Sequence, residues 1–108
     1  MIEVNNLTRS KINERFLKKV ARNVLAAEKS DKDLSIAIVS PGEIQKLNKK
    51  YRQKDKPTDV LSFNYGESGE VVLCPQQIKG KIDFVLVHGI LHILGYTHKQ
   101  MEKKQKNG

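Results

Sequence analysis

The sequence predicts an α+β domain, a small mixed sheet of about four strands with helices packed mainly on one face. Three observations lead there. Short stretches of alternating apolar residues are interspersed with longer stretches whose apolar residues return every three or four positions. Turn signals such as Ser40-Pro41-Gly42 and Gly66 to Gly69 separate them. The 108 residues contain no repeat and no linker, so residues 1–108 are read as one domain with a basic tail, 99–108.

Ile2 to Val4 reads as a short strand. From Ser10 onward Ile12, Phe16, Val20 and then Leu17, Ala21, Val24, Leu25 recur at helical spacing, while Lys11, Arg15, Lys18, Lys19 and Arg22 occupy the opposite face. Leu34, Ile36 and Ile38 alternate with Ser35, Ala37 and Val39 as a strand. Ser40 is a helix N-cap, with Pro41 in the first helical position and Glu43 completing a capping box. Ile44, Leu47 and Tyr51 are expected to form that helix's buried stripe. After the loop RQKDKPTD, the alternation of Leu61, Phe63 and Tyr65 predicts a strand, Gly66 to Gly69 a hairpin turn, and Val71 to Cys74 a further strand. The apolar run Ile82 to Leu94 is a buried helix, too short to span a bilayer.

Net charge is +8, from 20 Lys plus Arg against 12 Asp plus Glu, which favours an anionic partner, nucleic acid ahead of membrane. The single cysteine, Cys74, excludes an internal disulfide and suits a reducing cytosol; it is expected in the core. MIEVNNLTRS lacks the apolar core of a signal peptide, so a cytoplasmic location is expected.

All three histidines lie in HGILHILGYTH, His88 to His98. His88 and His92 are four apart and share one helix face, where two imidazoles can clamp a divalent metal. A continuing helix would carry His98 far round the axis. Gly95 resolves this, because a glycine just past a helix end adopts the left-handed conformation cheaply and reverses the chain. H-x-x-x-H-x-x-G-x-x-H therefore reads as a three-histidine site with an open fourth position, zinc being the first expectation, one ion per chain. The spacing is that of the zincin protease motif, but Gly89 stands where those enzymes carry their general-base glutamate, which argues against proteolysis.

Two blocks together resemble the YbeY endoribonucleases, bacterial rRNA maturation factors. HGILHILGYTH is similar to that family's H-G-x-L-H-x-x-G-Y-D-H, and LNKKYRQKDKPTDVLSF, Leu47 to Phe63, to its L-N-x-x-Y-R-x-K-D-K-P-T-D-V-L-S-F. The resemblance implies a single-strand-specific, metal-dependent endoribonuclease acting in 16S rRNA 3′-end processing and ribosome quality control, with the small ribosomal subunit as partner. It implies His88, His92 and His98 as metal ligands and Arg52 as the functional arginine. Thr97 and Glu70 stand where the family usually has aspartate, and Pro75 to Lys81 is shorter than the family's usual segment.

The second block makes chemical sense as an RNA site. Lys49, Lys50, Arg52, Lys54 and Lys56 face one carboxylate, Asp55, and Arg52 can meet a phosphate or a developing transition-state charge bidentately. Further RNA affinity is expected from the first helix's basic face and from Lys99 to Lys106. The expected protein is thus a zinc-dependent endoribonuclease acting on single-stranded RNA and rRNA. The alternative is a non-catalytic rRNA-binding assembly factor stabilised by zinc, which Gly89 keeps open.

Overall fold

The computed structural model describes residues 1–97. In chain order the elements are β1 (Ile2–Asn6), α1 (Glu14–Ala27), β2 (Asp33–Ile38), α2 (Pro41–Arg52), β3 (Val60–Asn64), β4 (Ser68–Leu73), a 3-10 turn Pro75–Gln77 and α3 (Ile82–Ile93). The sheet order is β1-β2-β4-β3, with β1, β2 and β4 parallel and β3 antiparallel to β4. This is the expected four-stranded mixed sheet.

The two central strands are apolar on both faces because both are covered. Leu34, Ile36 and Ile38 of β2 and Val71 and Leu73 of β4 pack against Leu17, Ala21 and Leu25 of α1 and Leu86, Ile90 and Ile93 of α3. On the other face Ala37, Val39, Val72 and Cys74 meet Ile44 of α2 and Leu61 of β3. Two of the three helices therefore share one face, as expected, and α2 alone covers the second. Cys74 is fully buried there.

The helix N-termini show how local chemistry sets boundaries. The α2 cap forms as predicted, with Ser40 Oγ accepting from the Glu43 amide at 3.3 Å. The first helix, by contrast, starts at Glu14 and not at Ser10. Asn6 accepts from the Thr8 amide at 3.0 Å and donates to the Ser10 carbonyl at 2.7 Å, while Thr8 Oγ1 accepts from the Ser10 amide at 3.1 Å. These local bonds hold the backbone out of helix until Asn13 caps α1 by accepting from the Phe16 amide at 3.0 Å. Phe16 consequently lies outside the buried stripe, 42% exposed. The final turn of α2 also departs from expectation. Asn48 is buried, whereas Tyr51 is 47% exposed and meets Phe63 edge-on at 5.3 Å. β4 begins three residues earlier than its apolar run suggests, because the Tyr65 amide bonds the Ser68 carbonyl at 2.8 Å and closes the hairpin.

α3 ends where the glycine predicts. Gly95 has φ +96°, its amide donates to the His92 carbonyl at 3.0 Å, and the Tyr96 amide donates to the Leu91 carbonyl at 2.9 Å. That pair of bonds is a Schellman motif, which satisfies the last carbonyls as the chain turns away.

Gly89 does something different. A Cβ there would lie 2.9 Å from Val71 Cγ1 and 3.0 Å from Ser62 Oγ, so the helix touches the sheet with no room for a side chain. Ser62 Oγ also donates to the Gly89 carbonyl at 3.0 Å. The glycine thus sets how closely α3 approaches β3 and β4, and hence where the histidine before it and the one after it stand. Gly89→Ala gains about 1 kcal/mol of helix propensity but overpacks a rigid contact at about 1–3 kcal/mol. Urea unfolding should show a net loss on the order of 1 kcal/mol, and an unchanged or raised midpoint would contradict the close approach.

Candidate metal centre and basic groove

The site is built where α2 ends, beside the free edge of β3. Arg52 is the last residue of α2, and Gln53 follows in the left-handed region at φ +56°. The Gln53 amide bonds the Lys49 carbonyl at 3.2 Å and the Lys54 amide bonds the Asn48 carbonyl at 3.3 Å, so the chain reverses tightly. Asn48, only 4% exposed, donates Nδ2 to the Lys56 carbonyl at 2.9 Å. That bond clasps the loop to the helix. Gln45 Nε2 donates to Asp55 at 3.0 Å and Lys49 lies 3.7 Å from the same carboxylate. The Gln45 hydrogen bond first, and the Lys49 charge second, hold the Asp55 carboxyl below its ordinary pKa. Asp55, one of the loop's two acids, is thereby engaged by α2.

Arg52 is oriented from both sides. Its Nη2 donates to the Ser62 carbonyl at 2.8 Å, its Nη1 to the Tyr51 carbonyl at 3.3 Å, and its guanidinium lies over the Phe63 ring at 5.1 Å. Two of five donors are engaged by backbone, which leaves others to face the groove. This groove, about 820 Å³, is lined by Arg52, Lys54, Lys56, Thr58 and Ser62 together with His92 of α3. Among the described residues no carboxylate lines it.

Of the residues singled out from sequence, Arg52, Lys54, Lys56 and His92 come together here. Lys49 and Lys50 do not line the groove. Lys49 faces Asp55, and Lys50 lies over the Tyr51 ring at 5.2 Å. His88, one turn before His92 on α3, is half-buried with Phe84 against its ring at 4.7 Å. His98 and the tail 99–108 lie outside the described residues, and among the described residues no three His, Cys, Asp or Glu gather as a metal-holding group. His88 and His92 are the donors that could hold a metal, with imidazole chemistry suited to zinc and a third donor still required. Cys74, sealed under α2, is no candidate. Arg15, Lys19 and Arg22 of α1 line a separate cleft.

Sequence reasoning passed over Asn48 and Ser62. Asn48 gave a signal, an amide set among Ile44, Leu47 and Tyr51 on the expected buried stripe of the helix. Ser62 gave little, since a serine alternating with Leu61 and Phe63 reads as the solvent side of a strand.

A small α+β domain with a cationic groove that includes a helix-borne imidazole is chemically suited to a phosphate-bearing polymer. The family described as Endoribonuclease YbeY matches residues 2–107, and the chain belongs to that family. Endoribonuclease YbeY of Petrotoga mobilis is 35% identical over 120 aligned positions, 95% of this chain and 83% of the relative. The protein of that name from Rubrobacter xylanophilus is 48% identical over 71 residues, and this match spans 61% of the chain and about half, 53%, of the relative. A Thermotoga maritima protein solved in solution superposes with a TM-score of 0.64 at 27% identity, covering 98% of this chain and 85% of its own. The 120 aligned positions exceed the chain's 108 residues, so the Petrotoga relative carries residues that have no counterpart here.

The clasp can be tested directly. Asn48→Leu replaces the amide with an apolar group of similar shape and strands the Lys56 carbonyl, which should cost about 1–3 kcal/mol. It should also speed amide hydrogen exchange between residues 53 and 57. Unchanged stability and unchanged exchange there would show that another contact holds the loop.

Proposed function

We propose that this protein is a metal-dependent endoribonuclease that cuts single-stranded RNA, acting in rRNA maturation on the small ribosomal subunit in the cytoplasm. The observation that carries this reading is the groove that Arg52, Lys54 and Lys56 line together with His92. Family membership, with relatives named endoribonuclease, and a net charge of +8 support it. His88, His92 and His98 would hold one zinc ion, which when bound supplies Lewis acidity at the scissile phosphate.

The chain's own residues do the rest. Lys54 and Lys56 neutralise phosphates along the groove, a term that is strong and salt-dependent. Arg52, braced by the Ser62 carbonyl and the Phe63 ring, offers its remaining N–H groups to the phosphate as charge develops on it. Because these backbone contacts set the guanidinium before substrate arrives, little reorganisation is required at the moment of reaction.

A second reading, a non-catalytic rRNA-binding assembly factor, is favoured by one observation. Among the described residues the groove lining holds no Asp or Glu, and position 89 admits no side chain that could supply one.

Two experiments separate the readings. Chelation, or His92→Ala in a protein shown to remain folded, should abolish cleavage of a single-stranded RNA while leaving most of the binding. His88→Ala, His92→Ala and His98→Ala should each sharply lower zinc content by elemental analysis, and Cys74→Ser should not. Purified, zinc-loaded protein that binds RNA but never cuts it establishes the assembly factor instead. Arg52→Lys keeps the charge and loses the planar fork, so single-turnover rate should fall about 10- to 100-fold with affinity changed only a few-fold. An equal loss in both would mean that Arg52 only binds.

A further inference from the structure

Outside the groove, three aromatic rings form a continuous row. Tyr51 of α2 meets Phe63 of β3 edge-on at 5.3 Å, and Phe63 stacks on Tyr65 with rings 4° from parallel at 6.4 Å. Tyr51 and Tyr65 are 47% and 62% exposed, among the most exposed large apolar residues of the molecule. Phe63 also closes the second core, which explains its own burial but not that of two tyrosines left to solvent beside it. The row has cations along it, with Lys50 over Tyr51 at 5.2 Å and Arg52 over Phe63 at 5.1 Å.

Arg52 joins this row to the groove, since one guanidinium lies over Phe63 and also lines the groove with Lys54 and Lys56. Cationic groups and aromatic rings thus lie side by side from the end of α2 across β3 to the residue that follows it. The free edge of β3 adds polar groups between them. Register and the bonds at Asp59–Cys74 and Tyr65–Ser68 turn the backbone groups of Leu61 and Phe63 to β4, so those of Ser62 and Asn64 point away from it. Among the far-end groups, Glu70 accepts from Tyr65 Oη at 3.4 Å and its negative charge opposes continuing a phosphate track past Tyr65. Desolvation first, and the Glu70 charge second, hold the Tyr65 phenol above its ordinary pKa.

We propose that Tyr51, Phe63 and Tyr65 form a stacking platform for bases of single-stranded RNA whose phosphates lie in the adjoining groove. The inference rests on the RNA-binding reading above and supplies its strand selectivity. Ring faces can meet bases only when those bases are unpaired and splayed from a helix, whereas lysines and arginine meet phosphates of either form. The partner is therefore a single strand of at least a few nucleotides, with little dependence on sequence because every base has a π face.

The experiment uses the full chain and a ten-nucleotide single-stranded RNA carrying one 2-aminopurine, with a hairpin duplex of the same length of backbone as the comparison. Stacking on a ring quenches 2-aminopurine, so wild-type protein should quench the single strand and leave the duplex signal unchanged. Tyr51→Leu combined with Tyr65→Leu keeps apolar bulk beside Phe63. If circular dichroism shows it folded, it should lose the quenching and bind the single strand about tenfold or more weaker, with duplex binding and the salt slope unchanged. Tyr65→Phe retains the ring and should restore both in the single-site comparison with Tyr65→Leu. Equal affinity and equal quenching in the folded double variant overturn the platform and leave the groove reading intact, as does an equal loss for single strand and duplex. Wild-type protein that binds neither RNA overturns both.

Discussion

The contact on which the site depends is the approach of α3 to β3 and β4 at Gly89. Without a side chain at this position the helix backbone comes down onto Val71 and Ser62, and Ser62 Oγ fastens it by donating to the Gly89 carbonyl. His92 follows less than one turn later and is delivered to the edge of the sheet, facing the groove. Ser62 is shared between two jobs. Its hydroxyl holds α3, and its carbonyl accepts Arg52 from α2. One residue of an edge strand therefore sets the separation between the imidazole side and the guanidinium side of the groove. The glycine that would disqualify a zincin protease is, in this fold, a packing requirement.

The opposite wall is fixed by a different device. A left-handed Gln53 turns the chain at the end of α2, and the buried Asn48 amide holds the returning Lys56 carbonyl. A flexible basic loop would lose much of its phosphate affinity to ordering costs. Here the backbone is already bent back and tied down before any anion arrives. Asp55 is bound by Gln45 and Lys49 on the helix side, so the cations of the loop can present a positive face to the groove. With the aromatic row beside them, the same short segment from Asn48 to Tyr65 carries most of what the proposed substrate would touch.

Much of this was legible in the sequence. The four strands, the Ser40 cap and the end of α3 at Gly95 are local patterns with few alternatives, and all three form as expected. The failures have local causes too. Asn6 and Thr8 compete for the backbone of residues 8–10, which a periodicity count cannot register, and α1 starts late. Tyr51 has the right spacing for the buried stripe of α2, but at this point the helix has run past the sheet and the ring overhangs Phe63. The basic loop was found as a cluster, yet its sequence could not tell Lys54 and Lys56, which line the groove, from Lys49 and Lys50, which do not. That sorting depends on a left-handed turn at a glutamine, for which the sequence offers no distinctive signal. The role of Ser62 was invisible because its two partners, Gly89 and Arg52, are distant in the chain.

Chemical-shift mapping with a non-cleavable single-stranded oligonucleotide, its reactive 2′-hydroxyl removed, tests the central claim most directly. The amide shifts of ¹⁵N-labelled protein should concentrate between residues 52 and 64 and at His92 and Ile93, the two sides of the groove, with smaller changes along α1. Shifts dominated instead by Arg15, Lys19 and Arg22 on the separate cleft of α1, with the groove unchanged, would contradict it.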